Sequence, residues 1–311
     1  SNLTVNLTTG NDTILSGVAG TATNYSGVLT VTIDVDNIDG NDTITGGDGN
    51  DAITDQAGND VVTAGAGNDT ITAGAGTDNL SGGDGNDSFT MGANYSTSDT
   101  ISGGAGADTL TVTNTAAVTA GTTTGVETIT TTVDSGTDVL ALAKVSGVTT
   151  LKAASGTNAS SFNVTGLNSG ATYTVDDVDV DTHSIGTVAG ASLTIDAQLT
   201  EAAADAAGAT AQSTTVDAAA TVVVQNTGAT DGDLVTLALD AVDTTSLTLN
   251  AGTNGGVDVG AVTATNKLAT LTLTGQTTGQ DVVMASMVDA DSLTTLTLTA
   301  DGGDTTLGTI G

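Results

Sequence analysis

Residues 37–111 begin Asn37-Ile38-Asp39-Gly40-Asn41-Asp42-Thr43-Ile44-Thr45 and continue GGDGNDAIT (46–54), DQAGNDVVT (55–63), AGAGNDTIT (64–72), AGAGTDNLS (73–81) and GGDGNDSFT (82–90). Met91-Gly92-Ala93 interrupts the period, which resumes with NYSTSDTIS (94–102) and GGAGADTLT (103–111). Aspartate holds the sixth place of all eight units: Asp42, Asp51, Asp60, Asp69, Asp78, Asp87, Asp99 and Asp108. The eighth place is always apolar: Ile44, Ile53, Val62, Ile71, Leu80, Phe89, Ile101 and Leu110. A short fixed period with one apolar place predicts a solenoid in which each unit is a tight turn followed by a short strand. Glycine suits such turns because the backbone there enters conformations closed to residues with a Cβ. A low-complexity Gly/Asn/Asp linker would not hold Ile, Val or Leu at one place in nine.

If two units make one coil, units n and n+2 stack on the same side at about 4.8 Å, the spacing of neighbouring strands. Asp42, Asp60, Asp78 and Asp99 then form one column, and Asp51, Asp69, Asp87 and Asp108 the other. Carboxylates that close repel one another unless a cation lies between them. Calcium fits, since it takes six to eight hard oxygen ligands at about 2.3–2.6 Å with tolerant geometry. Several calcium ions are therefore expected, with backbone carbonyls completing each ligand set. Alternate places of an extended turn direct carbonyls to one side, so places one, three and five are the expected donors. These are Asn37, Asp39 and Asn41; Gly46, Asp48 and Asn50; Asp55, Ala57 and Asn59; Ala64, Ala66 and Asn68; Ala73, Ala75 and Thr77; Gly82, Asp84 and Asn86; and Gly103, Ala105 and Ala107. An EF-hand reading of Asp34, Asp36 and Gly40 fails, because Ile38-Asp39 breaks the spacing and Thr45 stands where glutamate is needed.

The units resemble the GGxGxDxUx repeat of the RTX (repeat-in-toxin) family, a calcium-binding β-helix repeat. Gly46–Thr54 and Gly82–Thr90 match the pattern in full. Asp55-Gln56 and Ala73 replace leading glycines, and Asn94-Tyr95-Ser96-Thr97 keeps none, which sets the Asp99 unit apart. The resemblance implies calcium-dependent folding outside the cell and export by a type I system.

Composition agrees with that compartment. Of 311 residues, 36 are acidic and three are Lys or Arg, giving a formal charge of −33, and cysteine and proline are absent. A compact fold with that charge repels itself unless cations neutralise it. Without a Lys/Arg footprint, nucleic-acid binding and anionic membrane surfaces are disfavoured. No apolar run approaches the roughly 20 residues of a membrane-spanning helix, so no membrane insertion is expected. Without cysteine there is neither a disulfide framework nor a thiolate zinc site. The Val/Thr/Leu/Ile pattern favours strands.

On either side of the array the pattern remains β. Residues 1–36 alternate apolar and polar at Leu3/Val5/Leu7 and Leu29/Val31/Ile33/Val35, with Gly10-Asn11-Asp12-Thr13-Ile14 copying half a nonapeptide, which makes Asp12 a further candidate ligand. After Thr111 the period lengthens. Asp233, Asp258, Asp281 and Asp304 read as repeat starts, and Leu247/Leu249, Leu271/Leu273 and Leu296/Leu298 as a leucine stack. Residues 112–232 are less regular, with strands near Phe162–Val164, Tyr173–Val175, Leu193–Ile195 and Val222–Val224 and one short helix expected at Glu201–Ala207 after Thr200. The predicted fold is all-β: N-terminal strands (1–36), a calcium-binding parallel β-roll (37–111), and a longer-period right-handed β-solenoid (112–311, most regular in 233–311). An antiparallel sandwich is the alternative for the last region.

Catalytic chemistry finds little support. His183 is the sole histidine, expected in a solvated turn, and no HExxH, G-x-S-x-G or phosphate-loop motif is present. Lys144, Lys152 and Lys267 read as surface charges. Asp177, Asp179 and Asp181 alternate on one strand face and form a second candidate calcium site beside the reading of an edge charged against strand pairing. The expected function is therefore structural: a segment of a calcium-dependent bacterial surface layer or similar extracellular array, partnered by copies of itself and by cell-surface polysaccharide. An RTX adhesin or extracellular filament subunit is the second expectation, and the carrier domain of a secreted hydrolase the third.

Overall fold

The computed structural model describes residues 3–6, 12–15, 20–23, 29–32, 41–55, 57–114, 117–133, 136–154, 159–176, 182–197, 212–225, 235–241, 243–251, 257–263, 267–275, 282–288, 291–300 and 305–310. Among these residues all regular structure is β-strand. The helix expected at Glu201–Ala207 lies outside the described residues. The chain divides into two compact units, Ser1–Thr131 with Leu142–Val148, and Thr132–Ala141 with Thr149–Gly311.

In the first unit, strands pair in parallel with the strand one coil onward, as the two-units-per-coil reading predicts. On one side Ile44 stands beside Val62, Val62 beside Leu80, Leu80 beside Ile101 and Ile101 beside Thr123. On the other, Ile53 pairs with Ile71, Ile71 with Phe89, and Phe89 with Leu110. The eighth-place residues are all buried, and the two columns interdigitate as a narrow core. Strands Leu3–Asn6, Asp12–Leu15, Gly20–Thr23 and Leu29–Thr32 continue the two rows: Ala22 lies in register with Ile44, and Val31 with Ile53. Turn glycines make the tight stacking possible. Gly83 and Gly85 take φ of 121° and 128°, and a Cβ on either would overlap the carbonyl of Gly65 or Gly67 in the neighbouring coil. The Met91–Ala93 insertion is absorbed as a bulge between Thr90 and Gly92 that leaves Met91 buried.

In the second unit the strand pairings with a defined register are also parallel, so this region is a solenoid and not a sandwich. Leu247–Leu271–Leu296 and Leu249–Leu273–Leu298 stack in register, as read from the sequence, but only four of the six are core: Leu247, Leu249, Leu271 and Leu273 are buried, whereas Leu296 and Leu298 are exposed. The stack extends upstream, through Val222 and Val224 to Leu193 and Ile195, and from Ile195 to Tyr173 and Leu151. Residues 155–232, where the sequence pattern is weak, hold the two longest strands, Thr182–Ala197 and Gln212–Gln225. Two expectations need correction. Asp258 lies beside Thr236 and Val283 and not beside another aspartate, so it does not mark the repeat as the leucine pairs do; Asp233, Asp281 and Asp304 lie outside the described residues. His183 sits within a strand, in register with Phe162 and Thr214, and not in a turn.

Candidate metal centre

Each sixth-place aspartate sits just before a strand, where the turn delivers the chain back to the sheet. In six of them, Asp42, Asp51, Asp60, Asp69, Asp78 and Asp87, the backbone N–H donates to the Oδ1 of the aspartate one coil onward. In one column these bonds run from Asp42 to Asp60 (2.8 Å), Asp60 to Asp78 (3.1 Å) and Asp78 to Asp99 (2.9 Å). In the other, Asp51 donates to Asp69, Asp69 to Asp87, and Asp87 to Asp108, each at 2.8 Å. All eight carboxylates are buried, with 0 to 6% exposure. A second ladder on the outside runs the opposite way: the amides of Asn59 and Asn68 donate to the side-chain Oδ1 of Asn41 and Asn50, and those of Thr77, Asn86 and Ala107 to the Oδ1 of Asn59, Asn68 and Asn86. The two ladders pin every turn to its neighbour and explain why places five and six alternate Asn and Asp.

The Oδ1 atoms are thus occupied, and the Oδ2 atoms decide the chemistry. Those of Asp69, Asp78, Asp87 and Asp108 are buried and have no hydrogen-bond partner. Burial pushes the carboxyls of Asp69 and Asp78 up to about 6, opposed by the amide bond each accepts and assisted by the neighbouring carboxylates. Burial also raises Asp87 and Asp108. A buried anion whose second oxygen no donor satisfies is costly unless a cation neutralises it.

The first-place residues shape the space beside these oxygens. A Cβ on Gly46 would overlap Asp51 Oδ2 and the Ala64 carbonyl; one on Gly82 would overlap Asp87 Oδ2 and crowd the Gly103 carbonyl. Carboxylate oxygen and carbonyl therefore flank one small space, the hard-oxygen surroundings that calcium prefers. The residues present fit the ion.

The structure distributes the predicted carbonyl donors unevenly. Place one is buried at Gly46, Asp55, Ala64, Ala73, Gly82 and Gly103. Place three is half-buried at Ala57 and Ala66 and exposed at Asp48, Ala75, Asp84 and Ala105; the carbonyls of Asp84 and Ala105 accept the N–H groups of Gly67 and Gly85. Place five, at Asn41, Asn50, Asn59, Asn68, Thr77, Asn86 and Ala107, is exposed and belongs to the outer ladder. Asn37, Asp39, Asp177, Asp179 and Asp181 lie outside the described residues. Asp12 begins a strand in register with Leu29, so the coil next to it has no carboxylate at that place.

Three features escaped the repeat reading. Asp55, considered only for its carbonyl, brings its carboxylate within 4.8 Å of those of Asp42 and Asp60, so a departure from the glycine consensus adds a third acid to that column. At the insertion, Ser96 donates its N–H (2.7 Å) and hydroxyl (3.1 Å) to Asp99 Oδ2, a protein substitute for a cation. Tyr95 beside it is buried and hydrogen-bonded to Thr123, and burial pushes its phenol up to about 12. Third, the column does not stop at Asp108, whose N–H donates to Glu127 Oε2 at 2.8 Å. The signal was in the sequence: Gly125-Val126-Glu127-Thr128-Ile129 copies Gly106-Ala107-Asp108-Thr109-Leu110, disguised by the longer acid and the lost nine-residue spacing.

A model of the RTX calcium-binding nonapeptide repeat family matches residues 39–54, 54–89 and 95–112, in four copies. No curated protein and no solved structure matches the chain significantly. RTX repeats bind calcium and are typical of secreted proteins, and no helix among the described residues is long and apolar enough to cross a membrane. The stacked parallel strands, the buried aspartate columns and this match together identify residues 39–112 as an RTX calcium-binding β-roll.

Proposed function

We propose that the chain is a structural protein of a bacterial exterior, a segment of a calcium-dependent surface layer or similar self-assembling array, with copies of itself and cell-surface polysaccharide as partners. The observation that carries this reading is the pair of buried aspartate columns, in which the Oδ2 atoms of Asp69, Asp78, Asp87 and Asp108 lack any protein donor. Together with backbone carbonyls such as that of Gly103, which faces the same space as Asp87 Oδ2, these oxygens hold the ions. The folded turns gather such oxygens and the unfolded chain does not, so external calcium stabilises only the folded state. A low-calcium cytoplasm would keep the array unfolded for export. The long-period coils are built on leucine columns.

Electron microscopy of the purified chain in calcium tests the assembly: a two-dimensional lattice that disperses in chelator is expected. Isolated fibres would move the reading to a filament subunit, and strict monomers at high concentration would remove it.

A further inference from the structure

The turn at Gly125–Glu127, one coil beyond Asp108, is built differently from the turn it stacks on. Thr100, Ile101 and Ser102 pair with Thr122, Thr123 and Thr124, and the amide of Thr128 donates to the Asp108 carbonyl as that of Thr109 does to Asp87. Between these fixed points the earlier coil uses six residues, Gly103 to Asp108, and the later coil three, Gly125-Val126-Glu127. The shorter turn ends in one of the two glutamates among 36 acidic residues, and the extra methylene lets Oε2 make the bond to the Asp108 amide that an aspartate makes elsewhere.

Asp108 Oδ2 is fully buried and has no hydrogen-bond partner. A Cβ on Gly103 would overlap both that oxygen and the Gly125 carbonyl, so the two face one small space. A buried carboxylate oxygen, a carbonyl from the shortened turn and a second carboxylate reaching back are all hard oxygen donors. We propose that Asp108, the Gly125 carbonyl and Glu127 form a calcium site that extends the array by one coil, with Gly125 and Glu127 lying outside the residues matched by the repeat family. The next copy of the pattern, Gly147-Val148-Thr149-Thr150-Leu151, has threonine at the acid's place, so Glu127 is where the charged column ends.

The inference rests on the reading that the array binds calcium, and the test separates the two. In the full chain carrying [13C-carboxyl]glutamate, NMR shows two side-chain carboxyl resonances, from Glu127 and Glu201, and the one absent in Glu127→Gln is Glu127. On titration with calcium the Glu127 resonance is expected to shift and the Glu201 resonance to stay. By equilibrium dialysis, Glu127→Gln, which keeps an oxygen acceptor for the Asp108 amide, should lose one ion or bind it at least tenfold more weakly, whereas the exposed Asp291→Asn should match wild type. Calcium binding by wild type with no shift at Glu127, or with unchanged stoichiometry and affinity in a folded Glu127→Gln, overturns this inference alone. Failure of wild type to bind any calcium overturns the reading beneath it. Should Glu127→Gln not fold, the resonance is assigned instead from Glu201→Gln and the shift decides.

Discussion

The nonapeptide array and the long-period coils close turns between stacked parallel strands with opposite chemistry. In the array an aspartate accepts the neighbouring coil's amide with Oδ1 and leaves Oδ2 facing a dry interior. In the later coils the same junction is made by threonine: Thr245 and Thr294 donate their hydroxyls to the carbonyls of Ala220 (2.9 Å) and Ala269 (3.0 Å), and buried Thr244 to Ala219 (3.1 Å). A neutral hydroxyl leaves no charge to be balanced. The cores differ in step. Array strands such as Thr43–Gly47 and Val61–Ala66 bury one eighth-place residue beside a glycine or alanine, whereas Leu247 with Leu249 and Leu271 with Leu273 bury two large side chains per strand. At roughly 25 cal/mol per Å² of apolar surface, the later coils gain more from burial. The array exchanges hydrophobic burial for dependence on a cation, which makes its folding conditional on the compartment.

The largest effect that could break this contrast is calcium removal. A site saturated at a thousand times its dissociation constant adds about 4 kcal/mol to stability, so emptying several sites should destabilise the array more than any single substitution does. Hydrogen exchange in chelator is expected to show amides of residues 57–114 losing protection while those of 246–275 keep it. Equal loss in both regions would end the distinction. Single substitutions sharpen it. Leu271→Ala should cost about 2–5 kcal/mol, the same with and without calcium. Asp87→Asn should cost up to about 4 kcal/mol in saturating calcium, the contribution of one site, yet be neutral or stabilising in chelator, where it removes a buried charge with no counterion. Denaturant melts of both variants in both conditions measure the reversal of sign.

How much of this was legible beforehand differs between the regions for a physical reason. The array's register, its two columns and the inward places followed from the period, because each unit repeats both an apolar residue and an acid and so offers two markers in phase. The later coils offer only the apolar marker. The leucine stack was therefore readable at Leu247, Leu271 and Leu296, but Asp258 misled, since it is in register with Thr236 and Val283 and not with another aspartate. The long strands at Thr182–Ala197 and Gln212–Gln225 were read only as short pieces, because each runs through a register shift, at Gly186–Ala191 in the first, where the apolar alternation breaks. Within the site, Ser96 capping Asp99 and the carboxylate of Asp55 joining Asp42 and Asp60 depend on side-chain direction at places where the consensus fails. A repeat pattern says where such places are but not what the substitute does.

Proton concentration gives a smaller, calcium-free test. Burial raises Asp69 and Asp78 from 3.8 to about 6 in the folded protein. An acid whose folded pKa lies above its unfolded one binds protons more tightly when folded. Stability of the chelated array should therefore rise as pH falls from about 7 through 6 towards 4, and calcium binding, which needs both carboxylates ionised, should weaken over the same range. Scanning calorimetry in chelator at pH 7 and pH 5 should show the array's transition moving up while that of the leucine coils stays. A shift in the opposite direction would mean that these carboxylates are stabilised as anions by something other than a cation.

The smallest effect lies on the other side of the comparison. Thr244 is fully buried, and its hydroxyl holds the Ala219 carbonyl of the preceding coil. Thr244→Val keeps the shape and leaves that carbonyl without the hydroxyl, a loss of about 1 kcal/mol. Asn68→Ala in the array's outer ladder removes an acceptor from the Asn86 amide, but at an exposed site where water replaces it, so its direct cost should be smaller. The informative quantity is the dependence on calcium. Thr244→Val should cost the same in calcium and in chelator, because hydroxyl and carbonyl form a neutral pair complete in itself. Asn68→Ala should cost something measurable only in calcium, since the turn it braces is ordered only when the neighbouring carboxylates are neutralised. Urea midpoints for the two variants, each with and without calcium, would show whether the threonine ladder is independent of the ion; a calcium-dependent cost for Thr244→Val would mean that the later coils also draw stability from a cation.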